Sequence, residues 1–490
     1  MGAAPSVLPK TTRLPARLLA PFASASMPVS AIGIPLTVYL PNYFSSHIGL
    51  SLAAVGTVFG VVRLIDIVFD PLIGVAINAT RTAFGRFRPW MVAGTPLMMV
   101  AAYMMFMAEP GASTLYMAGW LLVLYAGFSM LTLGHSAWAA ALVPEYHERS
   151  RVYGWIQAIG VIAIVIILAL PVVLSLGWHK SITEGVQAMG WFIIVITPLT
   201  VALCIAATGE PRQAETTERI TLKDYWTMLA RASLLRILAA DLFLALGPAI
   251  TAALYLFFFT QVLGFTRTET NALLLIYIAA GLIGAPVWAR VAKRLGKHNA
   301  VMLGCVLYGL AQALVFSLPR GDMSLMVPGM FFAGFVVSCF TFLIRAMVAD
   351  ISDEVRLDIG KDRAALLYGL ITSTSKIGSA LSVTTTFAIL SAFGFEAKEG
   401  VVNSGIQLDA LEGCYVVAPV LTMFVGAFAL WGYKLDAVRH DGIRADLAAR
   451  DASMLEREAI AGASGVIESL GGPAEPVLAA LPRAPLGAGE

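Results

Sequence analysis

The sequence predicts an all-α membrane protein with twelve transmembrane helices arranged as two six-helix repeats. Three observations predict it. Of 490 residues, 58% are hydrophobic and 13% charged, against roughly half and a quarter in soluble domains. Apolar runs long enough to span a bilayer recur about twelve times. Segments of the first half also echo segments of the second, six runs further on.

Taken in order, the runs cover residues 22–45, 52–77, 90–108, 115–142, 153–177 and 190–208 in the first half. In the second they cover 234–263, 270–291, 299–318, 324–349, 365–392 and 411–433. Lys10, Arg13 and Arg17 precede the first run in the manner of a signal peptide. That run continues to about Tyr43, so it reads as an uncleaved first helix. "MGAAPS" fits a myristoylation pattern and "NAT" at Asn78 a glycosylation sequon. Neither is adopted: one acyl chain adds nothing to a multi-span protein, and the Asn78 loop lies on the cytoplasmic side.

That side is read from basic residues, which concentrate in cytoplasmic loops. The loops after spans 2, 4, 8 and 10 carry Arg81, Arg86 and Arg88; Arg149 and Arg151; Lys293, Arg294 and Lys297; and Arg356, Lys361 and Arg363. The alternate loops carry one at most: Lys180, Arg267, Arg320 and Lys398. Both termini and the midpoint linker, with Arg212, Arg219, Lys223 and Arg231, therefore face the cytoplasm. The expected organisation is a cytoplasmic segment 1–21, a bundle 22–208, a linker 209–233, a second bundle 234–433 and a cytoplasmic tail 434–490. Helical charge spacing around "DAVRHDGIRADLAARDASMLEREAI" predicts a surface helix in the tail; its last residues read as disordered.

The echoes are specific stretches. "RVYGWIQAIG" opens span 5 and "LLYGLITSTSKIGSA" span 11; "GRFRPWMVAG" precedes span 3 and "GKHNAVMLG" span 9. Parallel repeats are a transporter device, with the site between them near the membrane midplane. A formal charge of +2 leaves no nucleic-acid footprint. Cys204, Cys305, Cys339 and Cys414 are scattered, with neither metal-ligand nor disulfide spacing. No catalytic or metal motif recurs, so no enzyme, cofactor or structural metal is expected.

The informative stretch is "RLIDIVFDPLIGVAINATRTAFGRFRPW", Arg63 to Trp90. Asp66 and Asp70 are four residues apart and Arg63 three before the first, so all three share one face of span 2. Charge within a span faces the bundle interior or a water-filled cavity, and function is the first hypothesis. Two carboxylates against one base leave surplus negative charge. It can hold Na⁺ or a proton, because neighbouring carboxylates in low dielectric resist joint ionisation. Lys376, deep in span 11, needs a partner, and the surplus carboxylate of span 2 is the candidate; snorkelling to an interface is the alternative. Arg345 in span 10 either lines the cavity towards an anionic group or pairs with Asp350, Asp353 or Glu354. His135 reads as hydrogen-bonded structure before proton relay, and Trp138 as a sugar platform or packing.

These residues resemble the glycoside–pentoside–hexuronide:cation symporters, the melibiose permease-like branch of the major facilitator superfamily. The likeness rests on the Arg63–Trp90 stretch and on "VADISDEVRLDIGKDRAALLYGLITSTSKIGSAL", and runs from about Leu40 to Tyr433. It implies the major facilitator fold, cation binding at Asp66 and Asp70, a charge-pair role for Arg63 and Lys376, and sugar contact at Trp138. Departures are informative. The family's Asn before the second Asp is Phe69, and its span 4 Thr falls on Leu131, beside Thr132. Its acidic and basic sugar contacts fall near Ser30, on Gly134 and on Gln157. Fewer oxygens favour H⁺ over Na⁺, since a hard cation needs several ligands. The candidate substrate residues are Trp138, His135, Gln157, Arg345 and Ser30.

The expected function is cation-coupled symport of a glycoside or related sugar or uronide by alternating access, in the cell (inner) membrane. The expected partners are that small molecule and membrane lipid, with no nucleic acid and a monomeric chain. A carrier of an amphiphilic, lysolipid-like substrate on the same fold and a non-transporting membrane sensor are the alternatives.

Overall fold

Each apolar run becomes a helix. The structure is a computed structural model that describes residues 15–142, 146–178, 181–210, 228–360, 364–398, 401–435 and 438–453. The expectations for Lys10, Arg13, Lys180, Arg212, Arg219, Lys223, Lys361, Arg363, the Arg149 side chain and the last residues fall outside these. The first half comprises α1 (Ala16–Ser24 and Ser26–Ser46, bent by 41°), α2 (Leu52–Ala79), α3 (Arg88–Phe106), α4 (Thr114–Leu142), α5 (Tyr146–Trp178) and α6 (Ile182–Ala207). The second comprises α7 (Ala232–Val262), α8 (Arg267–Leu295), α9 (Lys297–Ser317), α10 (Met323–Ile359), α11 (Ala364–Ala392) and α12 (Gly405–Ala429). A further helix, α13, covers residues 438–453.

Among the described residues, ten of these helices and the bent pair α1 are long and apolar enough to cross a membrane. The twelfth, α11, has 29 residues, about 43 Å at 1.5 Å per residue. Its polarity lies in the run "TSTSK" ending at Lys376, which is where the site forms. Several boundaries differ from expectation: α5, α6 and α12 begin at Tyr146, Ile182 and Gly405 rather than at residues 153, 190 and 411, and α1 and α10 differ for visible reasons. Helix α1 begins at Ala16 rather than Phe22, because Leu18 and Leu19 are apolar and Leu19 is buried. It bends after Ser24, where Pro28 in the next turn has no N–H to continue the ladder. Helix α10 runs ten residues past residue 349. At 37 residues it is about 55 Å long, well beyond the ~30 Å of hydrocarbon, so its acidic end projects.

Helix starts sort by end of the bundle. Ser51, Ser113, Ser181, Thr266 and Asp322 each accept a hydrogen bond from a backbone N–H of the even-numbered helix they open. Short capped loops thus occupy one end, and the loop after α2, the start of α1 and α13 the other. At that second end the Glu210 carboxylate accepts from the backbone N–H groups of Arg86 (2.5 Å) and Phe87 (3.1 Å), and so caps α3 from the end of α6. Arg88 donates to the Thr208 carbonyl at 2.6 Å. The basic loop after α2 is therefore fastened to its own half.

The repeat is visible in the packing. Helix α2 packs on α4 as α8 packs on α10, and α1 packs on α5 and α6 as α7 packs on α11 and α12. Between the halves, α2 meets α11, α5 meets α8, and α1 meets α7. Exchanging each helix n for n+6 turns the first of these contacts into the second and the third into itself, which is two-fold pseudosymmetry.

Small residues permit the closest crossings. A Cβ on Gly334 of α10 would run into the Tyr277 backbone of α8, whereas Gly119 of α4 has nothing near its Cβ position. Backbone cannot give way as a side chain can. Gly334→Ala is expected to cost about 1–3 kcal/mol by overpacking and to lower the melting temperature in detergent. Gly119→Ala should leave it unchanged or raise it slightly; equal melting temperatures for the two variants would disprove the crossing argument.

Candidate functional site

The charged residues of α2 and α11 meet at mid-bundle, between the halves. Lys376 Nζ donates to Asp66 Oδ2 at 2.8 Å and also to Asp70 Oδ2. Arg63 Nη1 donates to Asp66 Oδ2 at 3.2 Å, and its guanidinium lies 4.8 Å over the Tyr125 ring of α4. Two carboxylates face two cations, so the cluster is neutral as it stands. Its two acids are unequal. Asp66 is 2% exposed and also accepts from Ser129 Oγ of α4 at 3.0 Å. Asp70 has Oδ1 buried with no hydrogen-bond partner among the described residues. A buried acceptor without a donor is costly.

Ser129 was not singled out from the sequence. The family's span 4 Thr position is Leu131, which is buried in the apolar core and supplies no oxygen. Thr132 donates to the Phe128 carbonyl of its own helix at 2.7 Å. A signal existed: Tyr125 and Ser129 are four residues apart, one polar stripe facing Arg63 and Asp66. Phe69 is 44% exposed and supplies no oxygen.

The other candidates lie away from this cluster. Trp138 is fully buried, with Phe22 edge-on at 5.5 Å and the Arg88 guanidinium 5.5 Å over its ring. His135 Nε2 is 3.0 Å from the Phe22 carbonyl oxygen. Both sit inside the first half against α1. Ser30 of α1 abuts Gly160 of α5, where a Cβ would contact its Oγ, and Gln157 on the same helix is exposed. Arg345 is exposed on α10. The acids near it have other partners. Asp350 pairs with Lys297 at 2.6 Å, His440 Nε2 lies 3.0 Å from Asp353, and Arg439 donates to Glu354 at 3.1 Å. His440 and Arg439 belong to α13, which is held on the projecting end of α10 and buries Ile443 and Leu447.

The halves are pinned at the end of the capped loops. Tyr39 Oη donates to Asn271 Oδ1 (2.9 Å), and Arg267 donates to Asn42 Oδ1 (2.7 Å). Ser175 and Thr268 hydroxyls lie 2.6 Å apart, and Thr384 donates to the Gly56 carbonyl (3.0 Å). Tyr39 ends a π-helical turn, Pro35–Tyr39, and α7 carries another at Phe258–Val262. At this end one apolar cluster runs through both halves, joining Phe44 and Phe106 to Phe258 and Phe387. Towards the termini the second half has a core of its own, from Leu234 to Leu447. The bundle is thus sealed at one end, with the charged cluster at the inner edge of the seal.

The chain has known relatives. The family described as MFS/sugar transport protein matches residues 21–437. The isoprimeverose transporter of Lactiplantibacillus pentosus is 26% identical over 425 residues, 82% of this chain and 85% of that protein. The putative glycoside/cation symporter YagG of Escherichia coli is 25% identical over 425 residues, 84% of this chain and 90% of that one. Among solved structures, the nucleoside transporter NupG shares the fold, with TM-score 0.60 at 14% identity over 85% of this chain and 100% of that one. Twelve helices in two pseudosymmetric halves, an intramembrane Arg–Asp–Asp–Lys cluster at their junction and a family match over most of its length make this chain a member of the MFS/sugar transport protein family, a membrane transporter and not an enzyme.

Proposed function

We propose that the protein is a cation-coupled symporter that moves a sugar or glycoside across the cell (inner) membrane by alternating access. The carrying observation is Lys376 of the second half bridging Asp66 and Asp70 of the first. A cation that binds these carboxylates competes with the lysine, and so changes a tie between the halves. Binding is then linked to rocking, and each ligand must alter the other's affinity by the same factor. Relatives described as an isoprimeverose transporter, a raffinose carrier protein and a glycoside/cation symporter support a sugar-like substrate. The same names give no support to an amphiphile carrier or a non-transporting sensor.

The basic loops and both termini lie on the cytoplasmic side in this reading. The sealed end is then external, and the conformation opens inwards. The chain works as a monomer, its site being complete within one molecule. The coupling ion is a proton: Phe69 offers no oxygen, whereas the unpartnered Asp70 Oδ1 can be protonated directly. Sodium is the second reading, favoured by the hydroxyl that Ser129 brings to Asp66. Trp138 and His135 would meet substrate only after α1 and α4 shift, since both are enclosed here, whereas Gln157 is already exposed.

Reconstituted vesicles test this. Labelled isoprimeverose, lactose and raffinose are offered under an imposed pH gradient or an imposed Na⁺ gradient. The expected result is accumulation of one of them above the medium level under the pH gradient, collapsed by a protonophore. Accumulation under Na⁺ alone would exchange the ion. Equilibration without accumulation under both would remove symport.

A further inference from the structure

Asp241 of α7 is a second intramembrane carboxylate, outside the Asp66–Asp70–Lys376 cluster. It is 7% exposed, and its Oδ2 accepts from Thr374 Oγ1 and Ser375 Oγ of α11, both at 2.7 Å. It lines a cavity among α7, α10 and α11 together with Phe340, Thr341, Arg345, Thr372 and Ser375. Thr341, Arg345 and Thr372 are exposed, so the cavity is reached from outside the core. The Arg345 guanidinium makes no hydrogen bond or ion pair among the described residues; its backbone carbonyl alone accepts, from Tyr368. The lining therefore offers an acceptor-only carboxylate, a donor-only guanidinium with unused N–H groups, hydroxyls of both kinds, and a phenyl wall. Ser375 is the residue before Lys376, so the cavity adjoins the coupling cluster along α11.

We propose that this cavity is a hydroxyl-reading subsite of the second half, in which Asp241 accepts hydrogen bonds from neighbouring hydroxyls of a polyhydroxylated substrate and Arg345 donates to an oxygen beyond them. A buried carboxylate discriminates between substrates, because one lacking the hydroxyl displaces water from the cavity without giving Asp241 a donor beyond Thr374 and Ser375. Asp241 and Arg345 are then specificity-determining residues. The inference rests on the sugar-transport reading and adds residues to it that neither α2 nor α4 supplies. It also ties substrate to coupling: a ligand drawing on Asp241 pulls on Thr374 and Ser375, and through α11 on the neighbouring Lys376.

The test compares Asp241→Asn with wild type in purified full-length protein. Asparagine still accepts from Thr374 and Ser375, so the α7–α11 tie survives and only the charge is lost. Equilibrium affinity for isoprimeverose, lactose and raffinose is read by thermal shift, and KM and maximal rate by vesicle uptake. The expected result is an affinity at least about tenfold weaker, a KM raised in step, and a maximal rate and melting temperature of the unliganded protein near wild type. Arg345→Gln should weaken the same sugar, and Lys293→Ala should not. Unchanged affinity in Asp241→Asn overturns the subsite, as does a wild type that binds none of the three sugars. Accumulation with unchanged affinity sinks the subsite and leaves symport standing. Weakened binding in a protein that never accumulates sugar does the reverse.

Discussion

Asp66→Asn should leave a protein that folds and binds sugar but no longer accumulates it. The substitution keeps the side-chain shape and an acceptor for Ser129, while removing the charge that holds Arg63 and Lys376. An ion gradient of tenfold stores about 1.4 kcal/mol and supports at most about tenfold accumulation for one ion per substrate. The variant should therefore fall from that ratio to about one under the same gradient. Downhill exchange of sugar should persist, because the route between the halves remains. Asp70→Asn should give the same loss, for a different reason: it replaces the carboxylate whose second oxygen has no partner. Full accumulation by either variant, measured as the internal-to-external ratio in vesicles, removes that carboxylate from coupling.

Lys376→Ala should be the most damaging single change in the second half. Lys376 neutralises two carboxylates at once, and its side chain is 11% exposed. Without it, Asp66 and Asp70 share only Arg63, and a buried charge is left uncompensated. Breaking such a buried pair by removing one partner costs about 3–5 kcal/mol. The melting temperature should drop, and uptake should fall at least about tenfold. The exposed Lys293 of α8 is the control; Lys293→Ala should change neither. Similar effects for the two lysines would mean that the Lys376 bridge contributes little in the membrane. Restoring charge balance by combining Lys376→Ala with Asp70→Asn should recover stability but not accumulation, which separates the structural part of the bridge from its coupling part.

Much of the fold was legible because a bilayer allows few solutions. Backbone polar groups in hydrocarbon must be satisfied internally, so a long apolar run becomes a helix. The runs at 52–77, 115–142 and 365–392 became α2, α4 and α11 with nearly the same ends. The errors lie where the bilayer does not constrain. Helix α10 continues beyond the lipid because α13 pairs with its acidic end, through Arg356 and Asp451 at 2.8 Å among others. No periodicity in α10 alone reveals that partner. The early start of α1 at Ala16 was hidden by the resemblance of its flank to a signal peptide.

The candidate site was legible in part. Arg63, Asp66 and Asp70 stand out because three charges in an apolar run have one physical explanation, a shared face turned inwards. Lys376 stands out for the same reason. Asp241 is an equally lone acid in the apolar run of α7 and was passed over, although the same rule flags it. Ser129 was missed because a serine in a spanning helix commonly bonds its own backbone, as Thr132 does.

By itself, the sequence determined the helix count, the repeat, the distribution of basic loops and the face on which the span 2 charges lie. These depend on neighbours along one helix and on the energetic cost of charge in lipid. Only the tertiary structure decided which charges touch. It brought Lys376 to Asp70 and Asp66 across 306 and 310 residues of chain, fixed Ser129 rather than Thr132 as the oxygen from α4, and enclosed Trp138 behind Phe22 and Arg88. The physical reason is that contact between residues far apart in the chain depends on how rigid helices pack and on which end of the bundle is sealed. Residue spacing within a single helix carries no information about either.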